Sequence, residues 1–456
     1  METYERTHQH GPAPMTRVRV RLQTLPCPGK SFTGLHIGRL AIPLVLVLIM
    51  MCGMFLSAVR ESEALPGFAR KYNADCSMCH FPVIPRLNNF GQMYRRMGYR
   101  TKIEINKDQD LTKVNEMLSG RIKSQFSYDN TQGQIERTQF TFPDLSLFYA
   151  GAVSRNFSAW IHAFASNSTS LDFHGHIMGN FGSAENMFMF RVGQMHMLQQ
   201  EGVGGFDRPT SININPVHLL ALTRANVVAT GAAAPTGGST YTFDLRQKGI
   251  ELAYMHGPGK LGVMISNGLN ETGSGVSSVG DIDPQKDYMV FYEHLLDDIA
   301  SGFTLFYYNG TTHSSTSTTA PRPEFNFNRF GFNVTKVFPV ADLGFIELQG
   351  GYVRSHDNNP ATPVTATTPI TPLSVTGNSF YIESQQYLTG YEITFYERYS
   401  AINLNGAQPN GIRKDYTAGF VKPLQTWVRL SGDYTYTYNP FGGTGQVLLF
   451  ELQINY

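Results

Sequence analysis

The chain has 456 residues, with 36 Lys and Arg against 35 Asp and Glu, and a formal charge of +1. The charged fraction is only 16%, and no strongly basic stretch follows the first 40 residues, which argues against a nucleic-acid partner. Aromatic residues make up 12% of the chain and glycine is frequent, a composition that suits strands joined by polar turns.

The first 64 residues have the features of an export signal. Basic residues precede an apolar run from Leu40 to Val59, and Ser62-Glu63-Ala64 is a small-x-small site where a signal peptidase would cut. We predict that residues 1–64 are a cleaved signal peptide, with translation starting at Met1 or Met15. The run is also long enough for a membrane helix, so an uncleaved anchor is the alternative.

A single cysteine motif follows the leader. Cleavage would remove Cys27 and Cys52, leaving the pair in Cys76-Ser77-Met78-Cys79-His80. In Cys-x-x-Cys-His the two thiols add to the vinyl groups of a haem, and the histidine lies beneath the iron as the proximal ligand. We therefore predict one covalent haem c, held by Cys76 and Cys79 with His80 on the iron.

Two other uses of a Cys-x-x-Cys pair fit less well. A structural zinc site needs four ligands, yet the next histidine after His80 is His162. A thioredoxin-type redox pair would need a βαβ setting, and no such pattern surrounds the motif.

The flanks of the motif predict a small helical cytochrome segment at 65–112. Residues 66–75 lead into the motif as a short helix, and Pro82 and Pro85 interrupt the chain after it. The next helix is predicted over Arg86–Tyr99, with Gly98 as its stop. Its apolar face is expected to lie against the haem. That face contains Leu87, Phe90, Tyr94 and Met97.

The sixth ligand of the iron is less determined. No histidine occurs between residues 81 and 161, so a local distal ligand would be Met97, on the apolar face, or Met93, turned away from it. Both could instead be packing residues, because methionine fills irregular gaps well. A ligand from elsewhere in the chain, or an open position, is the further alternative.

From residue 113 to 456 the pattern changes to alternating apolar and polar residues separated by turn residues, which predicts an outer-membrane β-barrel. We count about 16 antiparallel strands, including two uncertain ones near 212–245. The Thr/Pro-rich stretches 310–324 and 357–378 and the irregular region 198–240 are predicted to be extracellular loops. The clearest strand patterns are 157–165, 187–193, 302–308, 325–334 and 345–353.

The last nine residues give the most specific barrel signal. Phe450, Leu452, Ile454 and Tyr456 share one face, and Glu451 and its alternate neighbours share the other. A closing strand with lipid outside and water inside needs this alternation. The alternative, an edge strand of a soluble sandwich, would leave an exposed apolar face as a liability.

One histidine pair in the barrel could face a single side of a strand. Transient iron binding by His174 and His176 is one interpretation of this spacing, and an ordinary lumen or loop feature is the more common one.

The mature chain resembles the fused cytochrome–porins of iron-oxidising bacteria, the outer-membrane iron oxidases. The resemblance is most specific between Pro66 and Tyr99, and in the barrel it extends only to length and closing strand. It is carried by Phe68-Ala69-Arg70, Cys76-x-x-Cys79-His80, Pro85, Leu87-Asn88, Phe90-Gly91 and Gly98-Tyr99. Only Cys76, Cys79 and His80 carry over as functional residues.

The resemblance implies a monohaem cytochrome that plugs a 16-stranded porin or lies at its mouth. Such a protein would oxidise extracellular Fe(II) and pass electrons to a periplasmic c-type cytochrome or cupredoxin, as an iron:cytochrome oxidoreductase in the bacterial outer membrane. One haem cannot bridge an apolar band of about 25 Å by itself, so we expect the haem segment inside the lumen, within reach of both ends.

Two other functions stay open on the sequence alone. The same fold could export electrons to an external acceptor, or it could be a solute porin whose haem segment is a structural plug.

Overall fold

The computed structural model describes residues 67–80, 86–165, 171–195, 247–267, 285–313, 324–358, 374–403, 411–425, 427–440 and 443–456. All of them belong to one compact unit, Val59–Tyr456. The predicted signal peptide and the two uncertain strands near 212–245 lie outside the described residues.

Sixteen antiparallel strands form the body of this unit. In chain order they are β1 (Leu118–Thr131), β2 (Arg137–Ala152), β3 (Phe157–Ala165), β4 (Leu171–Gly182), β5 (Asn186–Met195), β6 (Gln247–His256), β7 (Gly259–Ser266), β8 (Asp287–Leu295), β9 (Gly302–His313), β10 (Glu324–Val340), β11 (Gly344–Asn358), β12 (Ser374–Leu388), β13 (Ile393–Asn403), β14 (Ile412–Gln425), β15 (Val428–Asn439) and β16 (Gly443–Asn455).

The strands close into a barrel. Each pairs with its neighbours in the sequence, and β1 pairs with β16, with Phe126 opposite Phe450. β5 pairs directly with β6 although residues 196–246 lie between them, so the sixteen described strands complete the barrel without any strand from that segment. The predicted fold class is confirmed.

Alternation along the strands separates a lipid face from a lumen face. In β8, Met289, Phe291 and Glu293 point inward and are buried, whereas Tyr288 is 51% exposed and Val290 43% exposed on the outside. In the closing strand, Glu451 and Gln453 are buried inside, as the sequence predicted. A contiguous apolar exterior is a liability in water but is required in lipid. The barrel therefore confirms the predicted location in the bacterial outer membrane.

The two ends of the barrel differ. Short turns at 153–156, 183–185, 257–258 and 341–343 join strands at one end, the short-turn end, and long segments such as 196–246 join strands at the other, the long-loop end. Outer-membrane barrels have short periplasmic turns and longer extracellular loops. The short-turn end is therefore the periplasmic end.

Two predicted loops are shorter than expected. β9 continues to His313 and β10 begins at Glu324, which leaves 314–323 of the predicted loop 310–324. Likewise β11 continues to Asn358 and β12 begins at Ser374. Residues such as Thr occur in both strands and turns, so composition alone started both predicted loops too early and ended the second one too late. The remaining loop residues lie outside the described ranges.

The segment before the barrel contains two short helices, α1 (Gly67–Tyr72) and α2 (Asn89–Arg96), with 3-10 turns at Cys76–Met78, Lys102–Glu104 and Leu111–Met117. α2 begins three residues later than predicted because the Asn88 side chain caps it, accepting a hydrogen bond from Gly91 N–H at 2.8 Å. It ends before Gly98, whose φ of +68° suits glycine.

No helix among the described residues is long and apolar enough to cross a membrane.

Candidate haem site and the barrel wall around it

Residues 67–80 and 86–117, here called the lumen segment, lie at the short-turn end of the barrel, where most of residues 89–100 are buried inside it and most of residues 102–116 are exposed. Arg86 forms an ion pair with Glu347 of β11, and Arg96 forms one with Glu293 of β8 at 3.1 Å. On the other side, Arg100 donates to the Phe157 carbonyl oxygen of β3 at 2.8 Å. Because these contacts reach widely separated strands of the wall, the segment crosses the lumen.

Buried polar contacts hold α2 against the barrel wall. The side chains of Arg96 and Glu293 are each 1% exposed. Asn180 on β4 donates to the Arg96 carbonyl oxygen at 2.9 Å, and Asn89 donates to the Ser301 carbonyl oxygen at 3.2 Å. A buried charge that lost its partner would cost several kcal/mol, so these pairs fix the position of α2 against the wall.

The Cys-x-x-Cys-His motif folds as a tight turn directly before α2. Cys79 and His80 N–H groups both donate to the Cys76 carbonyl oxygen, at 3.2 and 2.9 Å. The two cysteines are half-buried and are not joined by a disulfide. Both thiols are thus held on one turn beside the histidine, the arrangement that attachment to one haem edge requires.

His80 is oriented by the backbone that follows it. Its Nδ1 lies 3.1 Å from the Arg86 carbonyl oxygen, and its backbone forms a β-bridge with Leu87. A carbonyl can only accept, so Nδ1 carries the proton in this contact. Ligating histidines are commonly fixed in this way, with the other ring nitrogen, Nε2, used for the metal. The turn therefore fits a c-type haem.

α2 packs directly on the motif. A Cβ at Gly91 would lie 2.1 Å from the Cys79 carbonyl oxygen, so the close approach requires glycine at this position. The Asn88 amide donates to the Ser77 and Met78 carbonyl oxygens at 3.0 Å each. Helix and motif therefore form one unit.

The thiols are not poised for thiol–disulfide chemistry. Burial raises the pKa of both, and the neighbouring Cys76 adds to the increase at Cys79, whose pKa rises to about 11. Redox-active Cys-x-x-Cys pairs show the opposite shift, because the thiolate is the nucleophile. The structure therefore argues against the thioredoxin-type alternative.

Both methionines proposed as distal ligands pack towards the barrel wall. Met97 is 2% exposed and lies in a cluster with Met187, Met189 and Met255, against which Met93 also packs. Met93 is two residues after Gly91, which is about 200° around an α-helix, so it lies on the side of α2 opposite the motif. This packing favours the alternative of a distal ligand from elsewhere or an open position, and the ligand itself stays a prediction.

Aromatic side chains fill the space between the motif and the β2–β3 wall. Phe68 packs edge-on to Tyr94 and stacks on Tyr99, with ring centroids 5.1 and 5.6 Å apart. Tyr94 and Tyr99 are buried with Ala150. As predicted, Tyr94 and Phe90 share a helix face, and their rings stack at 6.4 Å.

A carboxylate stabilises this part of the lumen segment. Glu104 accepts hydrogen bonds from the Tyr72 hydroxyl at 2.6 Å and the Thr101 N–H at 2.7 Å, and pairs with Lys71 at 2.9 Å. Burial alone would raise its pKa, but these contacts outweigh burial and lower the pKa to about 2. Glu104 therefore stays charged in moderately acidic solution.

His174 and His176 face one side of β4, the lumen side, as the sequence predicted, and both are buried. The structure adds His162 of β3, whose Nδ1 lies 3.2 Å from His174 Nε2. The two rings meet because the register of β3 against β4 places His162 opposite His174. This register could not be predicted from the sequence. Among the described residues, no group of three or more His, Cys, Asp or Glu side chains is placed to hold a metal ion.

Solved porin structures resemble this chain at low sequence identity, and one of them has a TM-score above 0.5. The anion-selective porin of Comamonas acidovorans is 11% identical, with a TM-score of 0.51 over 74% of this chain and 98% of that chain. OprB of Pseudomonas putida, in a high-pH structure, is 9% identical with a TM-score of 0.49, over 74% and 94% of the chains. OmpF of Salmonella typhi, in complex with daunomycin, is 12% identical with a TM-score of 0.48, over 74% and 97%.

No family model and no curated protein sequence matches the chain. The fold thus defines its class: a porin-like, 16-stranded outer-membrane β-barrel.

Proposed function

We propose that this protein is an outer-membrane c-type cytochrome fused to its own porin-like barrel, and that it passes electrons from extracellular Fe(II) to periplasmic carriers. The carriers would be a c-type cytochrome or a cupredoxin. The finer assignment, to the fused cytochrome–porins of iron-oxidising bacteria, belongs to the same proposal.

One observation supports the proposal above the others: the Cys76–His80 turn places two thiols beside a fixed histidine, as a c-type haem would require, and it is anchored to the barrel wall. The His80 Nδ1 contact with the Arg86 carbonyl oxygen fixes the imidazole, while the Arg86 side chain pairs with Glu347 of the wall. Arg86 therefore links His80, the proposed iron ligand, to Glu347 of the barrel wall.

Haem c, when bound, would supply one-electron redox chemistry. The chain's own residues would do the rest. Cys76 and Cys79 would hold the group covalently, His80 would ligate the iron, and the barrel would exclude lipid. Fe(II) would need no tight site, because holding the Fe(III) product would block turnover.

The test is a haem spectrum of the purified outer-membrane protein, titrated with Fe(II) from pH 3 to 7. We expect a c-type spectrum in the wild type and its loss in Cys76→Ser/Cys79→Ser, with oxidised haem reduced by Fe(II). Arg413→Gln, a change in β14 away from the motif, is the control and should leave the spectrum intact. Haem-loaded protein that Fe(II) fails to reduce at every pH would refute iron oxidation.

The competing functions give different results in two further measurements. A low haem potential would favour electron export, whereas a strongly positive one would favour iron oxidation. A solute porin with a structural plug would conduct in planar bilayers, with conductance rising when residues 65–112 are deleted, and its haem would not respond to external Fe(II).

A further inference from the structure

A row of rings lines the lumen side of β2, β3 and β4, above the lumen segment. Every member points inward, and cross-strand register places His162 opposite both Phe148 and His174, and Trp160 opposite His176. We call this set the aromatic row. It consists of Trp160, His162 and Phe164 of β3, His174 and His176 of β4, and Phe148 of β2.

The rings of the row are in contact. Trp160 stacks on His176, with centroids 5.6 Å apart and planes at 26°, and lies 5.0 Å from His174. His174 and His162 are 4.6 Å apart and share the ring-nitrogen contact at 3.2 Å. His162 then stacks on Phe148 at 4.2 Å and on Phe164 at 5.1 Å.

The inner end of the row meets the lumen segment. Trp160 packs against the buried group of Tyr94, Tyr99 and Ala150. Tyr94 lies in α2 three residues after Gly91, where an added Cβ would fall 2.1 Å from the Cys79 carbonyl oxygen. The inner end of the row therefore lies against the buried group that includes Tyr94 of α2, the helix that follows the Cys-x-x-Cys-His turn.

The outer end approaches the long-loop end. Phe164 is followed only by Ala165, the last residue of β3. From Trp160 to Phe164 the strand rises about 13 Å along its own axis, at about 3.3 Å per residue. Because barrel strands are tilted by about 35–45°, this is about 10 Å across the membrane, or about two fifths of an apolar band of about 25 Å. The lumen segment occupies the short-turn end, so the row covers distance that a single group at the Cys76–His80 turn would leave open.

The wall on the other side of the lumen segment has a different character. There the segment meets the ion pairs of Arg86 with Glu347 and of Arg96 with Glu293. Those contacts hold the segment in place, whereas the β2–β4 wall offers it stacked rings.

We infer that the aromatic row is the electronic bridge between the extracellular donor and the Cys76–His80 turn, an inference that rests on the proposed function. The rate of electron transfer falls steeply with the width of each gap between donor and acceptor. Aromatic rings in van der Waals contact provide stronger electronic coupling across such a distance than water or lipid. One electron leaves Fe(II), which becomes Fe(III), and reduces the ferric haem that Cys76 and Cys79 would hold. The rings gain and lose nothing, and no proton is transferred.

The first experiment uses the two tryptophans of the chain, Trp160 and Trp427. Cells carrying the protein in the outer membrane receive either Fe(II) bound to a dextran-linked chelator too large to enter, or ascorbate, which reaches the periplasmic end. The measured quantity is the rate of haem reduction by each donor. Trp427→Leu, the same change in the turn before β15, is the matched control.

For Trp160→Leu we expect a several-fold loss of rate with the dextran-bound Fe(II) and no loss with ascorbate. Trp160→Phe keeps a ring at this position and should retain most of the rate. Equal rates in Trp160→Leu and Trp427→Leu would overturn the inference, and so would an equal slowing with both donors, which would indicate a packing defect.

A second readout does not depend on turnover. In a Trp427→Phe background Trp160 is the sole tryptophan, and its fluorescence lifetime is compared with and without the Cys76→Ala/Cys79→Ala change that prevents haem attachment. We expect strong haem-dependent shortening, and an unchanged lifetime would contradict the contact of row and haem site. If haem-loaded wild type is not reduced by either form of Fe(II), the proposed function fails instead, while the lifetime still reports on the row.

Discussion

At the scale of single residues, the Cys76–His80 turn depends on close contacts that few side chains allow. Gly91 lets α2 approach the Cys79 carbonyl, Asn88 caps the helix and holds two carbonyls of the turn, and the Arg86 carbonyl orients His80. The motif itself was readable from the sequence, because its spacing is local. The glycine and asparagine roles were not, because they depend on which side of α2 faces the turn.

We expect Gly91→Ala to separate α2 from the motif, since the new Cβ would fall 2.1 Å from the Cys79 carbonyl oxygen. The cost should be about 1–3 kcal/mol, as for other overpacked sites, with less haem attached per protein. The haem-to-protein absorbance ratio measures the effect. Gly390→Ala, where an added Cβ meets no atom within 4 Å, is the control and should match the wild type.

Glu104 predicts a pH dependence of the lumen segment. Its pKa is lowered from the ordinary glutamate value of 4.5 to about 2, so its stabilising contribution is complete above pH 4.5 and is lost as the pH falls towards 2. Glu104→Gln should remove this dependence and cost about 1 kcal/mol near neutral pH, because solvent screens part of the interaction.

Hydrogen exchange of the amides around Thr101 and Lys102, corrected for intrinsic rates, measures the effect of Glu104→Gln. The wild type should open more readily as the pH falls below 4.5, and the variant should show no such trend. A wild-type profile that stays flat down to pH 2 would show that Glu104 does not carry this charge-dependent stability.

At the scale of elements, α2 contacts other parts of the protein with two of its faces. One touches the motif through Gly91, and the other meets the wall through Arg96 and the methionines at 93 and 97. Sequence periodicity predicted the helix and its apolar residues, but it assigned Met97 to the haem side. Neighbours decide the side a methionine takes, because its flexible thioether packs equally well in either environment.

The Arg96–Glu293 pair should be the strongest anchor of this helix. Glu293→Gln leaves the Arg96 charge buried beside a neutral partner, at a cost of about 3–5 kcal/mol in the local opening of α2. Hydrogen exchange of the α2 amides measures that opening.

Arg96→Met/Glu293→Met is the matched control for the anchor, since replacing both members of a buried ion pair by apolar side chains is often neutral. The double variant should therefore recover most of the loss. If it opens as readily as Glu293→Gln, the anchor works by shape and not by charge.

At the scale of the whole molecule, one barrel supplies both a lipid-facing exterior and a lined lumen. Sixteen strands would normally leave a water-filled channel, yet here inward side chains such as Arg329 and Asp357 are buried and paired at 2.9 Å. The lumen segment lies at the short-turn end, so an extracellular electron donor would arrive at the opposite end of the lumen, where only the side chains of the barrel wall are described. The aromatic row lies on the wall between these two ends.

The barrel predicts a depth-dependent cost for charge on its lipid face. Phe450→Arg, near the middle of β16, should cost about 2–4 kcal/mol, and Gln446→Arg, on the same face near the strand end, about 0–1 kcal/mol. Reversible urea unfolding in lipid vesicles measures both. Equal costs at the two positions would contradict the assigned lipid band.

The sequence by itself determined the closed barrel and the lipid face of β16, which follow from a period of two, and the local spacing of Cys-x-x-Cys-His predicts a haem site. Only the tertiary structure decided that the Cys76–His80 turn lies at the periplasmic end of the lumen, that Met93 and Met97 pack on the wall, and that His162 contacts His174. These contacts join residues far apart in the chain, and strand register and helix docking, which no local pattern records, bring them together.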